Sequence, residues 1–163
     1  MKKLPIIAIA LASCGFFILT AQQSAPTAVF TAAQATAGRA AYESSCNRCH
    51  TDTLIGRDGT GEIPEIAQPY KGRIPPLAGA NAAFPPFMTK WGAKTTKDLY
   101  MRIRAAVPAF PPPGRTIDDE LGLEITAYVL QVNGARPGSQ RLTTETEVEV
   151  RSIAPGVPAS VGH

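Results

Sequence analysis

The chain contains few of the residues that build most metal and redox sites. Its 163 residues include three cysteines, two histidines, three methionines and one tryptophan. A zinc site of two cysteines and two histidines is hard to assemble from this set, and a cage built from several histidines is excluded. No long basic run with interleaved aromatic residues occurs, so the sequence gives no support for nucleic-acid binding.

The composition nevertheless allows one folded domain. Hydrophobic residues make up 44% of the chain and charged residues 18%, which is enough apolar material for a packed core. The 14 glycines and 15 prolines predict long loops between the helices. The formal net charge is +3, and without Lys2 and Lys3, which belong to the leader, it is 3 − 2 = +1.

An uncharged run from Leu4 to Ala21 follows Lys2 and Lys3. A basic start and an apolar run predict an export signal. Three fates are open: cleavage ahead of Gln22, lipidation of Cys14 at the end of a lipobox-like tetrapeptide, or retention as an uncleaved anchor. All three predict a periplasmic or exported domain, and the last two attach it to the membrane through the N-terminus.

The chain divides into four predicted parts. Residues 1–21 form the signal or anchor, 22–36 a tether, 37–138 the folded domain and 139–163 a C-terminal extension. The extension alternates Thr, Glu and Val before turning rich in Pro and Gly, which suggests at most a short extended piece.

Apolar periodicity and helix-end signals predict four helices inside the domain. They are Ala37–Ser45, Pro86–Trp91, Lys97–Ala106 and Ile117–Val132. Thr95 or Thr96 is expected to cap the third helix, and Thr116 with Asp119 resembles a capping box at the start of the fourth. An Asn-Gly step follows Val132 and predicts its end.

One motif predicts the chemistry. Residues 46–50 read Cys-Asn-Arg-Cys-His, a spacing that indicates c-type haem attachment. Two thiols one helical turn apart can add to the two vinyl groups of one porphyrin. The adjacent imidazole is then placed to bind the iron. The motif therefore predicts one covalent haem c, held by Cys46 and Cys49, with His50 as an iron ligand.

Three alternatives explain the cysteine pair without haem. A thioredoxin-like redox pair needs a βαβ context, and the chain has almost no strand pattern. Half a zinc site lacks its second half. A plain disulfide fits an exported protein. A structural or redox dithiol protein therefore remains a competing class.

From about Gly38 to Gly138 the chain resembles the class I (mitochondrial-type) cytochromes c, most of all small bacterial members that serve periplasmic dehydrogenases. Gly38 and Tyr42 look like the residues of the family's N-terminal helix that contact the C-terminal helix. Ile125 and Tyr128 look like the face of the C-terminal helix that receives this contact. The resemblance implies an all-α fold, a small cytochrome c fold of three to five helices around one haem, with long Pro/Gly-rich loops.

Residues 75–79, Pro-Pro-Leu-Ala-Gly, are similar to the family's Pro-x-Leu-x-Gly. The resemblance implies that the Pro75 carbonyl accepts a hydrogen bond from the free ring N–H of His50 and that Leu77 packs on the haem. Trp91 resembles the tryptophan of the family's middle helix, which implies a core position and a hydrogen bond to a haem propionate.

The pattern breaks at the sixth iron ligand. Where the resemblance leads us to expect a Met-Pro step after the Lys97–Ala106 helix, this chain has Val107-Pro108. Met88 and Met101 are alternative ligands, although Met88 shares a face with aromatic residues and suits core packing. His163 at the chain end is a third candidate, and an empty sixth position is the fourth.

These observations predict an electron-transfer protein rather than an enzyme. It would carry single electrons in the periplasm from a dehydrogenase to an oxidase or another cytochrome. The alternative is a haem protein whose open sixth position binds a small ligand or peroxide.

Overall fold

The computed structural model of the chain describes residues 28–109, 111–116 and 118–157. This part contains six α-helices: α1 (Ala32–Ala41), α2 (Asn47–His50), α3 (Phe87–Trp91), α4 (Thr96–Ala106), α5 (Asp119–Val132) and α6 (Val150–Ile153). A π-helical turn, Tyr42–Cys46, joins α1 to α2 without a break. The described residues thus hold five separate α-helical segments, and the predicted all-α class is confirmed.

The remaining regular structure is short. Two 3₁₀ helices cover Glu65–Tyr70 and Val107–Ala109. Two two-residue strands, β1 (Arg57–Asp58) and β2 (Arg73–Ile74), pair in antiparallel fashion with Arg57 opposite Ile74. No strand was expected here, because two residues are too few to show a period of two along the sequence.

The first helix begins five residues before the predicted start. Thr31 caps α1: its hydroxyl accepts from the Gln34 N–H, and the Gln34 side chain accepts from the Thr31 N–H. This reciprocal pair satisfies backbone donors that would otherwise lack a partner. The prediction of a start at Ala37 is therefore wrong, since a Thr-x-x-Gln signal lies inside the segment assigned to the tether.

Two further caps test the predicted helix ends. Thr95 caps α4 together with Asp98, in agreement with one of the two predicted caps. The capping box predicted at the start of α5 is wrong: the side chain of Asp118 accepts the Leu121 N–H at 2.9 Å, and the helix begins at Asp119. Aspartate at this position offers a charged acceptor directly before the first turn.

Helices α1 and α5 cross at very close range. A Cβ built on Gly38 would overlap the Glu124 carbonyl and lie 2.9 Å from the Ile125 nitrogen. One turn along α1, the rings of Tyr42 and Tyr128 lie 5.4 Å apart between centroids and are tilted by 54°. The predicted contact between these two faces is confirmed, and a glycine at the crossing is what allows the backbones to meet.

The C-terminal segment packs into the same core as the helices. Leu142 and Val150 are buried, and Gln34 of α1 is 2% exposed. The Gln34 amide donates to the Leu142 carbonyl and accepts from the Leu142 N–H, each at 2.9 Å. An isolated bridge also pairs Thr95 with Glu149. Residues 139–157 therefore contribute more than the short extended piece suggested by their sequence.

No helix within the described ranges is long and apolar enough to cross a membrane. The predicted signal or anchor, 1–21, lies outside those ranges, as do residues 22–27 and 158–163.

Candidate cofactor site

The Cys-x-x-Cys-His motif lies on the helical stretch that follows α1. Cys46 is the last residue of the π-helical turn, while Cys49 and His50 belong to α2. In the turn, the Asn47 N–H bonds to the Tyr42 carbonyl, one residue further back than in an α-helix. Such turns are frequent at functional sites because they shift the side chains that follow.

The two thiols are free, and Cys49 is 8% exposed. Burial, with a smaller contribution from Cys49, raises the pKa of Cys46 to about 11. Burial also raises the pKa of Cys49, against the charges of Arg57 and Arg48. The Cys46 thiol is therefore neutral at physiological pH, which suits its contact with an apolar surface.

His50 is held in a defined orientation. Its Nδ1 lies 3.0 Å from the Pro75 carbonyl oxygen, so Nδ1 carries the proton and donates it. Burial lowers the pKa of His50, the bond to Pro75 opposes this, and the charge of Arg102 lowers it further. The neutral imidazole that results leaves Nε2 with a free lone pair, the form in which histidine binds metals.

One cavity of about 640 Å³ brings the predicted site residues together. All five of them line it: Cys46, Cys49, His50, Pro75 and Leu77. The rest of its wall consists of residues from α3, α4, β2 and the 3₁₀ helix after α4, among them Phe87, Trp91, Ile103, Val107, Ile74 and Arg102. A mostly apolar cavity of this size, partly open to solvent, is typical of a site for a large cofactor.

The charged groups of this cavity have one sign. Arg73, Lys90 and Arg102 line it, whereas no Asp or Glu does. All three are exposed and none forms an ion pair in the part of the chain that the structure describes. We call these three residues the cationic rim. An apolar interior with a cationic rim matches a porphyrin, which has an apolar ring and carboxylate groups at one edge.

The cavity wall contains Val107, the residue that stands where the resemblance leads us to expect a methionine. Neither methionine of the described residues lines the cavity. Met101 is 59% exposed, and Met88 packs against the core and Gly156. His163 lies outside the described residues.

Trp91 has the predicted core position. It is 9% exposed and stacks with Phe87 at 6.4 Å between ring centroids. It also lines the cavity, next to Lys90, whose ammonium lies 5.7 Å from the centroid of the Trp91 ring.

Sequence reasoning missed one residue that supports the site. Asn133, fully buried, donates from Nδ2 to the carbonyls of Leu77 and Val129, each at 2.8 Å. It thereby ties the end of α5 to the loop that lines the cavity. The Asn-Gly signal in the sequence indicated only a helix end.

No cluster of three or more His, Cys, Asp or Glu side chains suited to binding a metal ion occurs in the described ranges.

A comparison with protein-family models supplies independent evidence. The model described as cytochrome c oxidase, cbb3-type, subunit III matches residues 33–129, more than half of the chain. No curated protein and no solved structure matches the chain. The family match favours haem c over the haem-free dithiol alternative. The chain belongs to the cytochrome c oxidase, cbb3-type, subunit III family of c-type cytochromes, and it is an electron-transfer protein with covalently bound haem c and its iron.

Proposed function

We propose that this cytochrome carries single electrons in the periplasm between a dehydrogenase and a downstream acceptor, either an oxidase or another cytochrome. The observation that supports this most is the cavity that gathers Cys46, Cys49 and His50 beneath an exposed cationic rim. A buried cofactor with one edge near the surface suits electron exchange with a docked protein.

Each residue of the motif has a separate role in this proposal. Cys46 and Cys49 would anchor the haem as thioethers, and Nε2 of His50 would bind its iron. The Pro75 carbonyl orients the imidazole and raises its basicity through Nδ1. Leu77 covers the ring and helps to exclude water. The haem supplies the one-electron chemistry, and the chain sets its potential through ligand identity and burial.

The first test concerns attachment. The full-length chain, matured in a host that attaches haem c, should show a haem stain that survives denaturing electrophoresis. Replacing both Cys46 and Cys49 by serine should abolish the stain, whereas Cys14→Ser, which also removes a thiol, should keep it. Loss of the stain in all three proteins would contradict the assignment of the motif.

The second test concerns docking. Because the cationic rim attracts anions, ferricyanide should oxidise the reduced protein at a rate that falls with ionic strength. Arg73→Gln and Lys90→Gln should slow the reaction, while Lys94→Gln, an exposed lysine outside the cavity wall, should leave it unchanged. Oxidation rates that change neither with ionic strength nor with the substitutions in the cationic rim would argue against an acidic partner surface.

The third test concerns export. Mass spectrometry of the mature N-terminus separates the three fates of the leader. Cleavage predicts Gln22 as the first residue, lipidation predicts a modified Cys14, and retention predicts residues 1–21 intact in a membrane fraction. Recovery of the haem-loaded protein only from the cytoplasm would refute the periplasmic assignment.

A second candidate function rests on Val107. This valine lines the cavity where the resemblance leads us to expect a ligating methionine, and its side chain has no donor atom. The candidate is a haem protein with an open sixth iron position that binds a small ligand or peroxide. Rapid reaction of the reduced protein with carbon monoxide supports it, and a slow or absent reaction opposes it.

A further inference from the structure

We propose that the haem iron of this chain binds a small exogenous anion on the side facing α4, where Arg102 donates a hydrogen bond to that anion. The inference rests on the second candidate function, and it identifies the class of ligand and the residue that recognises it.

The face of α4 that lines the cavity provides no iron ligand. It consists of Arg102, Ile103 and Ala106 of α4 together with Val107, the first residue of the 3₁₀ helix that follows, at the i, i+1, i+4, i+5 spacing of one helix face. The three aliphatic side chains have no lone pair. The guanidinium of Arg102 has hydrogen-bond donors only. Helix α4 therefore leaves iron coordination on this side to a group from elsewhere.

Three other lining side chains, Ser45, Tyr70 and Lys90, carry an atom that could bind iron, and Ser45 is buried on the π-helical turn that contains Cys46. Tyr70 is 51% exposed, and the Lys90 ammonium sits by the Trp91 ring, 5.7 Å from its centroid. The sulfur atoms of Cys46 and Cys49 are used for attachment. Among the lining residues that the structure describes, His50 has a ring orientation fixed by a hydrogen bond, since its Nδ1 bonds to the Pro75 carbonyl and leaves Nε2 free.

Arg102 has no internal partner within the described part of the chain. The two neighbouring cations of α4 differ from it: Arg104 pairs with Asp119 at 3.2 Å, and Lys97 pairs with Glu145 at 3.5 Å. The donors of Arg102 are therefore available to a ligand.

These features favour an anion over a neutral ligand. The exposed Arg102 guanidinium at the edge of a mostly apolar cavity can stabilise negative charge through charge-assisted hydrogen bonds. A neutral ligand such as carbon monoxide gains little from the same group. The competing role for Arg102 is an ion pair with a haem propionate, which would leave anion affinity independent of this residue.

The test uses the full-length, haem-loaded ferric protein and follows the Soret band during titration with sodium azide and potassium cyanide. The wild type should bind both. Arg102→Leu should weaken azide binding on the order of 10- to 100-fold, the scale of one hydrogen bond to a charged group. The affinity of the ferrous form for carbon monoxide should change by less than about threefold, because a neutral ligand gains little from a hydrogen bond to the guanidinium.

Four further variants sharpen the result. Arg104→Leu makes the same chemical change on the same helix, on a side chain that does not line the cavity, and should leave azide affinity unchanged. Val107→Met adds a thioether at the α4 wall and should oppose every exogenous ligand. Lys90→Gln and His163→Ala test the remaining side chains that could bind the iron.

Two outcomes would overturn the inference. The first is the absence of azide and cyanide binding in the wild-type protein. If binding then appears in Lys90→Gln or His163→Ala, the substituted side chain is the sixth iron ligand of the wild type. The second is an unchanged azide affinity in Arg102→Leu. A protein that stains for haem and exchanges electrons with ferricyanide but binds no anion refutes this inference alone, whereas loss of the stain refutes the proposed function as well.

Discussion

Gly38 lies where α1 crosses α5, and replacing it with alanine gives a test in which two physical effects have opposite signs. In the interior of a helix, Gly→Ala ordinarily stabilises by about 0.5–1 kcal/mol, because alanine restricts the unfolded chain. At this crossing, however, the added Cβ overlaps the Glu124 carbonyl and lies 2.9 Å from the Ile125 nitrogen. Both contacts are backbone atoms, so no side chain can rotate away.

The magnitude follows from the difference between these effects. Overpacking of a core costs about 1–3 kcal/mol, and contact with backbone belongs at the upper end. A loss of about 3 kcal/mol, less a gain of about 1 kcal/mol in propensity, leaves a net destabilisation of about 2 kcal/mol. With a urea m value of about 2 kcal/mol/M, the midpoint of unfolding should fall by about 1 M.

The assay is urea unfolding of the haem-loaded protein followed by far-ultraviolet circular dichroism. The control is Ala40→Gly, the reverse change at an exposed position of the same helix, which should lower stability by about 0.5–1 kcal/mol. If propensity alone decided, the two variants would shift the midpoint in opposite directions. A Gly38→Ala protein as stable as the wild type, or more stable, would refute the close crossing of α1 and α5.

Three further predictions concern the polar contacts that hold the core. Asn133→Ala removes the donor to the Leu77 carbonyl and should cost about 1–3 kcal/mol in urea unfolding; an unchanged midpoint would contradict this role. Gln34→Leu removes both hydrogen bonds to the C-terminal segment, so limited proteolysis should cut within residues 139–157 faster than in the wild type, and equal rates would count against it. Tyr100→Phe removes the 2.8 Å hydrogen bond that lowers the pKa of Asp119. A lowered carboxyl pKa stabilises the fold above the unfolded value of about 3.9, and this contribution is lost as the pH falls through the lowered pKa. The stability difference between wild type and Tyr100→Phe should therefore narrow below about pH 4, and a difference constant from pH 7 to pH 3 would disprove the linkage.

Local signals in the sequence predicted the helices well where strong signals lay at their ends. Thr95 with Asp98 and the Asn-Gly step after Val132 mark ends that the structure places within a residue of the prediction. The start of α1 was missed because its Thr-x-x-Gln cap lies in a stretch whose composition resembles a linker. Strands β1 and β2 were missed because a two-residue strand is too short to show an alternation of polar and apolar residues. Their pairing also depends on the fold of the loop that connects them.

The sequence by itself determined the chemistry of this protein. The spacing of Cys46, Cys49 and His50 is local, since one helical turn separates the groups that must meet one porphyrin. The absence of a methionine at Val107 is equally visible in the sequence.

Only the tertiary structure decided what surrounds that motif. It showed that Met88 and Met101 lie away from the cavity wall, that Arg102 lines it while Arg104 does not, and that Asn133 holds the Leu77 loop. These relations join residues that are distant along the chain, and they depend on how the helices pack. The two arginines of α4 cannot be told apart from the sequence. They acquire different roles because the packing of the helix against the core determines which of its faces lines the cavity.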